Sequence, residues 1–183
     1  MKTKNLQIIL LLVVFTFFNC SNNDDPIEQD QLPPISQTGA NTFGAVVNGK
    51  VFITKDKTGY TPPGGGTPKG LSILGNNRTF VIQATNYEDT YIYIYIPKDF
   101  PDERTYNFQN STGVEYSLSE PNFLHIYATV NGTKYLSFLD SGFINFTKID
   151  INDGIFSGIF EVKLKNKNNQ NDIIEITDGR FDL

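Results

Sequence analysis

Residues 155–165 read IFSGIFEVKLK, and apolar and polar side chains alternate along this stretch. Successive side chains of a β-strand point to opposite faces, so the alternation predicts a strand with one buried and one solvated face. The two faces hold Phe156, Gly158, Phe160, Val162 and Leu164 on one side, and Ser157, Ile159, Glu161, Lys163 and Lys165 on the other. We expect Phe160 and Val162 to lie in the hydrophobic core.

Turn dipeptides divide the chain around this strand into further short runs. Asn48-Gly49 and Asn131-Gly132 best tolerate the positive φ angles of a two-residue hairpin turn, and Asp153-Gly154 marks a third turn. From residue 39 onward no stretch keeps a helical periodicity. About eleven strands are predicted, at Phe43–Val47, Lys50–Thr54, Arg78–Ala84, Tyr91–Pro97, Arg104–Asn107, Glu115–Ser119, Leu124–Val130, Thr133–Phe138, Gly142–Asp150, Ile155–Lys165 and Ile173–Leu183. This spacing predicts an all-β domain, an antiparallel β-sandwich or barrel.

The stretch TGYTPPGGGTPKG at residues 58–70 interrupts the strand pattern. Its three prolines remove ladder donors and its five glycines supply no packing, which predicts a mobile surface loop. A phosphate-binding loop would need Gly-Lys-Ser/Thr leading into a helix, whereas Lys69 precedes its glycine and no helix is predicted after it. Nucleotide binding is therefore not expected.

The N-terminus carries an export signal. Lys2 and Lys4 precede the apolar run LQIILLLVVFTFF, which is shorter than the roughly 20 residues that span a bilayer as a helix. The following FFNC resembles the lipobox of bacterial lipoproteins, which implies a cleaved signal peptide at residues 1–19 and lipidation of Cys20. The alternative is that Cys20 is an incidental thiol in a leader that is processed differently.

Residues 20–38 are predicted to form a flexible acidic tether, because they hold four acids and three prolines and few apolar side chains. Asp24 and Asp25 follow Cys20 closely and resemble the signal that exports lipoproteins of the Bacteroidota to the cell surface. The alternative is that these acids only keep the linker solvated.

The remaining 145 residues, 39–183, suit one domain. The leader contains two of the fifteen basic residues and none of the twenty acids, so the mature charge is −7. This charge opposes nucleic acid and anionic lipid as partners. Because Cys20 is the sole cysteine, the domain must fold without an internal disulfide.

Three segments carry a resemblance to a known family: NTFGAVVNGKVF at residues 41–52, PPGGG at residues 62–66, and DGIFSGIFEV with ITDGRFDL near the C-terminus. Together they resemble an uncharacterised family of Bacteroidota lipoproteins, classed as a domain of unknown function. The resemblance covers the mature domain and implies a lipoprotein leader and a β-rich fold. It brings no catalytic or binding residues.

Candidate catalytic and metal-binding residues are few. His125 is the only histidine, and its predicted place beside Phe123 and Tyr127 favours a packed or rim residue over a catalytic base. One His and one Cys do not make a zinc site. Asp150, Asn152 and Asp153 hint at a calcium loop, but their spacing fails its pattern, and turn chemistry explains them without a metal. Paired glycosidase carboxylates remain an alternative, with Asp102, Glu103, Glu115 and Glu120 as the candidates.

Tyr91, Tyr93 and Tyr95 alternate with Ile92, Ile94 and Ile96 along one predicted strand. If the isoleucines form the core, the tyrosines make a ladder of three rings, a possible platform for a glycan or a protein partner. We favour the alternative that both faces of the strand are covered, as in the middle of a sandwich, because a platform without tryptophan is a weak glycan signature.

These observations predict a membrane-anchored envelope lipoprotein that acts as a non-catalytic binding or interaction module, without a cofactor. We expect it on the outer membrane, at the cell surface, with the periplasmic face as the alternative. A hydrolase using surface carboxylates and a purely structural envelope component are the competing functions.

Overall fold

The computed structural model describes residues 31–75, 79–97, 102–115 and 122–183. These residues form eleven strands and no helix. The strands are β1 Thr42–Val47, β2 Lys50–Ile53, β3 Leu71–Gly75, β4 Thr79–Thr85, β5 Thr90–Pro97, β6 Thr105–Asn107, β7 His125–Val130, β8 Thr133–Leu136, β9 Gly142–Asp150, β10 Ile155–Asn166 and β11 Ile173–Asp182. The predicted all-β class is confirmed.

The strands form one antiparallel sheet that curls into a half-barrel. Its order is β2-β1-β11-β10-β8-β7-β5-β4-β3, and β9 pairs with β10 and β6 beside this path. The alternating strand β10 is the longest, and it pairs with β11, β9 and β8. Phe160 and Val162 on its inner face are buried as predicted, at 0% and 3% exposed.

Both Asn-Gly pairs form the predicted hairpin turns. Asn48 and Gly49 have φ angles of 48° and 81°, and Asn131 and Gly132 have φ angles of 49° and 76°. Positive φ at both central residues defines the turn whose twist matches that of the flanking strands. These turns fix the registers Val47↔Lys50 and Val130↔Thr133.

The predicted strands differ from the structure at two places. Strand β3, Leu71–Gly75, pairs with β4 directly after the glycine-rich loop, where no strand was predicted. It lies at the end of the sheet, and Ile73 and Leu74 are exposed, so it lacks the buried face that creates an alternating pattern. The strand predicted at Glu115–Ser119 has its first residue in a bend, and residues 116–119 lie outside the described residues.

The buried carboxylate of Asp182 holds the N-terminal segment on the domain. Its oxygens accept hydrogen bonds from Ser36 Oγ at 2.6 Å, from the backbone N–H groups of Thr38 and Gly39 at 2.9 Å, and from Ser157 Oγ at 2.7 Å. We call this arrangement the clasp. The last part of the predicted tether, Ser36 and Thr38, is thus bonded to Asp182 in the C-terminal strand β11, and residues 20–30 lie outside the described residues.

Candidate functional site

Three turns that are far apart in sequence meet at one end of the half-barrel and surround a cleft of about 220 Å³. We call it the seam cleft, because it lies between the terminal strand β2 and the turns that follow β4 and β7. It is lined by Val47, Asn48, Lys50, Val51, Phe52, Ile53, Lys55, Asn86, Glu88, Asp89, Thr90, Val130 and Asn131. Val47 and Phe52 are buried and form an apolar floor, while the rim is polar.

One wall of the seam cleft is the open edge of strand β2. In the described part of the chain β2 pairs only with β1, in the register Val47↔Lys50, Val46↔Val51, Ala45↔Phe52 and Gly44↔Ile53. Hydrogen-bonded and non-hydrogen-bonded pairs alternate along an antiparallel ladder, and the hairpin turn makes Val47↔Lys50 a bonded pair. The N–H and C=O groups of Val51 and Ile53 therefore point away from β1, toward the cleft.

The opposite wall is the turn between β4 and β5, which its own side chains hold in place. Asn86 Oδ1 accepts hydrogen bonds from the N–H groups of Glu88, Asp89 and Thr90 at 3.0–3.1 Å. The N–H of Asn131 donates to the Asp89 carbonyl at 2.8 Å, which joins this turn to the β7–β8 turn. A preformed wall of this kind loses little conformational entropy when a ligand binds.

The charged side chains of the seam cleft differ in how many hydrogen bonds and ion pairs they make. The Asp89 carboxylate accepts hydrogen bonds from Asn86 and Thr90, which lower its pKa from the ordinary value of aspartate. Lys55 lies 3.7 Å from Glu88 in an ion pair. The positive charge of Lys50 also helps to lower the pKa of Asp89, but its ammonium makes no hydrogen bond or ion pair within 4 Å to any residue that the structure describes. Because Lys50 is exposed, a ligand can reach this positive charge.

The predicted tyrosine platform is not an exposed surface. Tyr93 and Tyr95 are only 1% and 5% exposed, and Tyr91 is partly buried. Ile92 and Ile94 are fully buried on the other face, so both faces of β5 are covered. The structure thus supports the alternative in which the strand lies in the middle of a sheet, and it corrects the open ladder of Tyr91, Tyr93 and Tyr95.

The tyrosines belong to a continuous stack of five rings on the outer face of β5 and β7. Tyr127 stacks on Tyr93 at 4.9 Å between ring centroids, and His125 stacks on Tyr95 at 4.9 Å. Tyr91 lies 6.1 Å from Tyr127 at one end of the stack. The pairs follow from the register of the two strands, which places Tyr93 opposite Tyr127 and Tyr95 opposite His125.

Residues 109–115 lie across this stack and close it off from solvent. Glu115 Oε1 accepts hydrogen bonds from the hydroxyls of Tyr91 at 3.0 Å and Tyr127 at 2.6 Å. Burial, the negative charge of Glu115 and this hydrogen bond raise the pKa of Tyr127 well above the usual range. Lys134 donates to the Gly113 carbonyl at 2.8 Å and lies over the Tyr127 ring. These contacts make the stack a second core.

His125 is a packed histidine, as predicted. It is 2% exposed, and burial lowers its pKa to about 4, so the ring is neutral near pH 7. Its Nδ1 lies 3.1 Å from Ser111 Oγ. The same Oγ accepts the N–H of Gly113, and a ring with this pKa is a weak base, so the pair serves the fold rather than nucleophilic catalysis.

The other candidate acids are engaged separately. Asp102 forms an exposed ion pair with Arg104 at 3.5 Å, and Glu103 accepts the N–H of Ile149. Asp150 Oδ1 accepts the N–H groups of Asn152 and Asp153, which is the turn chemistry expected there.

The structure does not bear on every predicted residue. Glu120, Cys20, Asp24 and Asp25 lie outside the described residues. Within the described ranges no three His, Cys, Asp or Glu side chains are grouped to hold a metal ion.

Sequence reasoning missed the seam cleft, although two of its three turns were visible as Asn-Gly pairs. The curl of the sheet brings together residues 48, 86–90 and 131, and no local pattern encodes that curl. The signal that could have pointed to it is the asparagine found in all three turns.

No family model, curated protein or solved structure matches this chain. None of the residues that the structure describes forms a helix of the length and apolar character needed to cross a membrane.

Proposed function

We propose that the chain is a membrane-anchored envelope lipoprotein whose domain binds a ligand in the seam cleft without catalysis. The FFNC leader and the resemblance to Bacteroidota lipoproteins support anchoring through Cys20 and a place on the outer membrane, at the cell surface. The seam cleft carries the binding part of the proposal. It combines an apolar floor, a preformed polar rim and an unpaired strand edge, which are the features of a recognition site.

The position of the clasp supports the same proposal. Asp182 of the clasp pairs with Thr42 at the start of β1, while Val47 at the end of β1 lines the seam cleft. Five residue steps along a strand span about 17 Å. The tether attachment and the seam cleft therefore occupy opposite ends of this strand, and anchoring leaves the cleft free.

Two measurements test the anchoring. Cells grown with a labelled fatty acid should yield a labelled mature chain, and Cys20→Ala should remove the label. Protease treatment of intact cells should digest the domain while a periplasmic control protein survives. An unlabelled mature chain contradicts the lipoprotein proposal, and a protected domain places it on the periplasmic face.

The binding proposal is tested on the full chain in detergent with glycan and peptide arrays. Lys50→Glu should weaken any specific hit by at least about tenfold, because it replaces the accessible positive charge of the seam cleft. Lys148→Glu makes the same charge change near the clasp and should leave binding within about twofold. No hit on either array, or hits that Lys50→Glu leaves intact, would overturn the proposed site.

A further inference from the structure

Strand β2 has one edge that pairs with no other strand among the described residues, and its geometry suits the addition of a further strand. The backbone groups of Val51 and Ile53 point away from β1, and a strand adding to β2 would bond to these alternate residues. Both residues line the seam cleft, so the free edge of β2 forms one wall of this cavity. Sheet edges pair with extended chains wherever they are left accessible.

The contact between the chain after β2 and the end of β4 explains why no other strand of the sheet pairs with this edge. After β2 the chain turns so that the N–H of Lys55 donates to the Thr85 carbonyl at 3.1 Å, at the end of β4. A Cβ on Gly70 would collide with the Lys55 backbone, so glycine is needed for this close approach. The contact between Lys55 and Thr85 thus joins the two ends of the sheet beside β2, and the seam cleft remains between β2 and residues 86–90.

The seam cleft offers one exposed cation to an acidic group of a partner, although its lining residues include two acids and two bases. Glu88 is paired with Lys55, and the Asp89 carboxylate accepts hydrogen bonds from Asn86 and Thr90 and lies within the electrostatic influence of Lys50. Lys50 is exposed and stands at the hairpin end of β2 with no ion pair in the described residues. A carboxylate at this end of an added strand would form a direct ion pair with the Lys50 ammonium, which the described residues only influence from beyond ion-pair distance.

We propose that the seam cleft takes an extended peptide segment, which adds to the edge of β2 as a strand of about four residues with an acidic residue or C-terminal carboxylate at Lys50. The inference rests on the proposed function and names the ligand class of the same site. The backbone groups of Val51 and Ile53 supply the main-chain bonds. The asparagine side chains of the rim contact the outer edge of the peptide.

The test uses a phage-displayed random octapeptide library selected on the full chain in detergent. Selected peptides are synthesised, and their affinities are measured by fluorescence anisotropy. Val51→Pro removes the N–H that points into the cleft and spares the bonds to β1, since proline is tolerated at such edge positions. It should weaken binding by at least about tenfold, whereas Val51→Thr keeps the N–H and should stay within about twofold.

A second readout does not depend on the proline variant folding. Alternate residues of the bound peptide should donate their N–H groups to β2. Peptides N-methylated at these residues should lose affinity, whereas peptides N-methylated at the residues between them should keep it. Hydrogen exchange of the Val51 and Ile53 amides should slow when the unmodified peptide binds, because these groups become bonded. Lys50→Gln should weaken peptides with a terminal acid more than their amidated forms.

Three outcomes overturn the inference. The library yields no binder, the selected peptides bind Val51→Pro as well as the parent chain, or N-methylation at either set of alternate residues has the same effect. A glycan that binds in the cleft and loses affinity with Lys50→Glu but not with Val51→Pro refutes the peptide while leaving the proposed binding function in place. Failure of every ligand class at the cleft refutes both.

Discussion

His125 should make the stability of the domain depend on pH in a way that one variant isolates. It is the only histidine of the chain, it is 2% exposed, and burial lowers its pKa from 6.5 to about 4. In the unfolded chain the imidazole is in water and titrates near its ordinary value. Protonation below that value therefore favours the unfolded state.

The magnitude follows from the difference between the two pKa values. A difference of about 2.5 units corresponds to about 3 kcal/mol, because each unit is worth 1.36 kcal/mol. Because the folded pKa is the lower one, this stability is fully present above pH 6.5 and is lost as the pH falls from 6.5 to about 4. Between about pH 7.5 and about pH 4.5 the loss due to His125 should be roughly 2.5 kcal/mol.

His125→Phe keeps a ring on Tyr95 and removes the titration. Urea unfolding of the parent chain and the variant at the two pH values should give a free-energy difference that changes by about 2.5 kcal/mol between them. The carboxylates titrate in both proteins and cancel. The single His C2–H resonance in the NMR spectrum reports the folded pKa directly. A midpoint near 6.5, or a free-energy difference independent of pH, would refute the reasoning.

Three further changes test other parts of the structure. Asp182→Asn should cost about 2 kcal/mol near pH 7, measured by urea unfolding, because two backbone N–H groups lose a charged acceptor; Asp153→Asn, an exposed acid, is the control. Hydrogen bonds hold the Asp182 pKa below its ordinary value. The difference in unfolding free energy between the parent chain and Asp182→Asn should therefore persist down to about pH 4 and disappear only at lower pH. Tyr127→Phe should cost about 1–2 kcal/mol through the lost bond to Glu115, and an alkaline absorbance titration should show one late-ionising tyrosine fewer. Gly142→Ala should lower the thermal midpoint by several degrees, because its Cβ would collide with the backbone of the adjacent strand.

The fold was predictable where the information is local. The alternation of β10 places Phe160 and Val162 in the core, and the Asn48-Gly49 and Asn131-Gly132 pairs set the hairpin registers. These features depend on residues within a few positions of one another. Strand β3 escaped prediction because an edge strand with exposed Ile73 and Leu74 has no buried face to create a pattern.

The candidate site was not predictable, because it depends on contacts between distant segments. The alternation of Tyr93 with its isoleucine neighbours shows that one face of β5 is core, but not that residues 109–115 cover the other. Likewise, residues 48, 88 and 131 become neighbours only when the whole sheet curls. Each strand of a β-domain has its own local sequence pattern, whereas a cleft forms only when the sheet curls and brings distant segments together.

The clasp limits how the domain can be tethered. If Cys20 is the anchor and residues 32–39 stay on the domain, the free chain ends at residue 31, and its full extension is about 40 Å. A tether reaching to residue 38 would extend about 60 Å. Asp182→Asn weakens the clasp and should lengthen the reach without touching the seam cleft, which lies at the other end of β1. Reach and ligand binding are therefore separable: Asp182→Asn should leave the affinity for a cleft ligand unchanged, and a loss of affinity in this variant would show that the two ends of β1 are coupled.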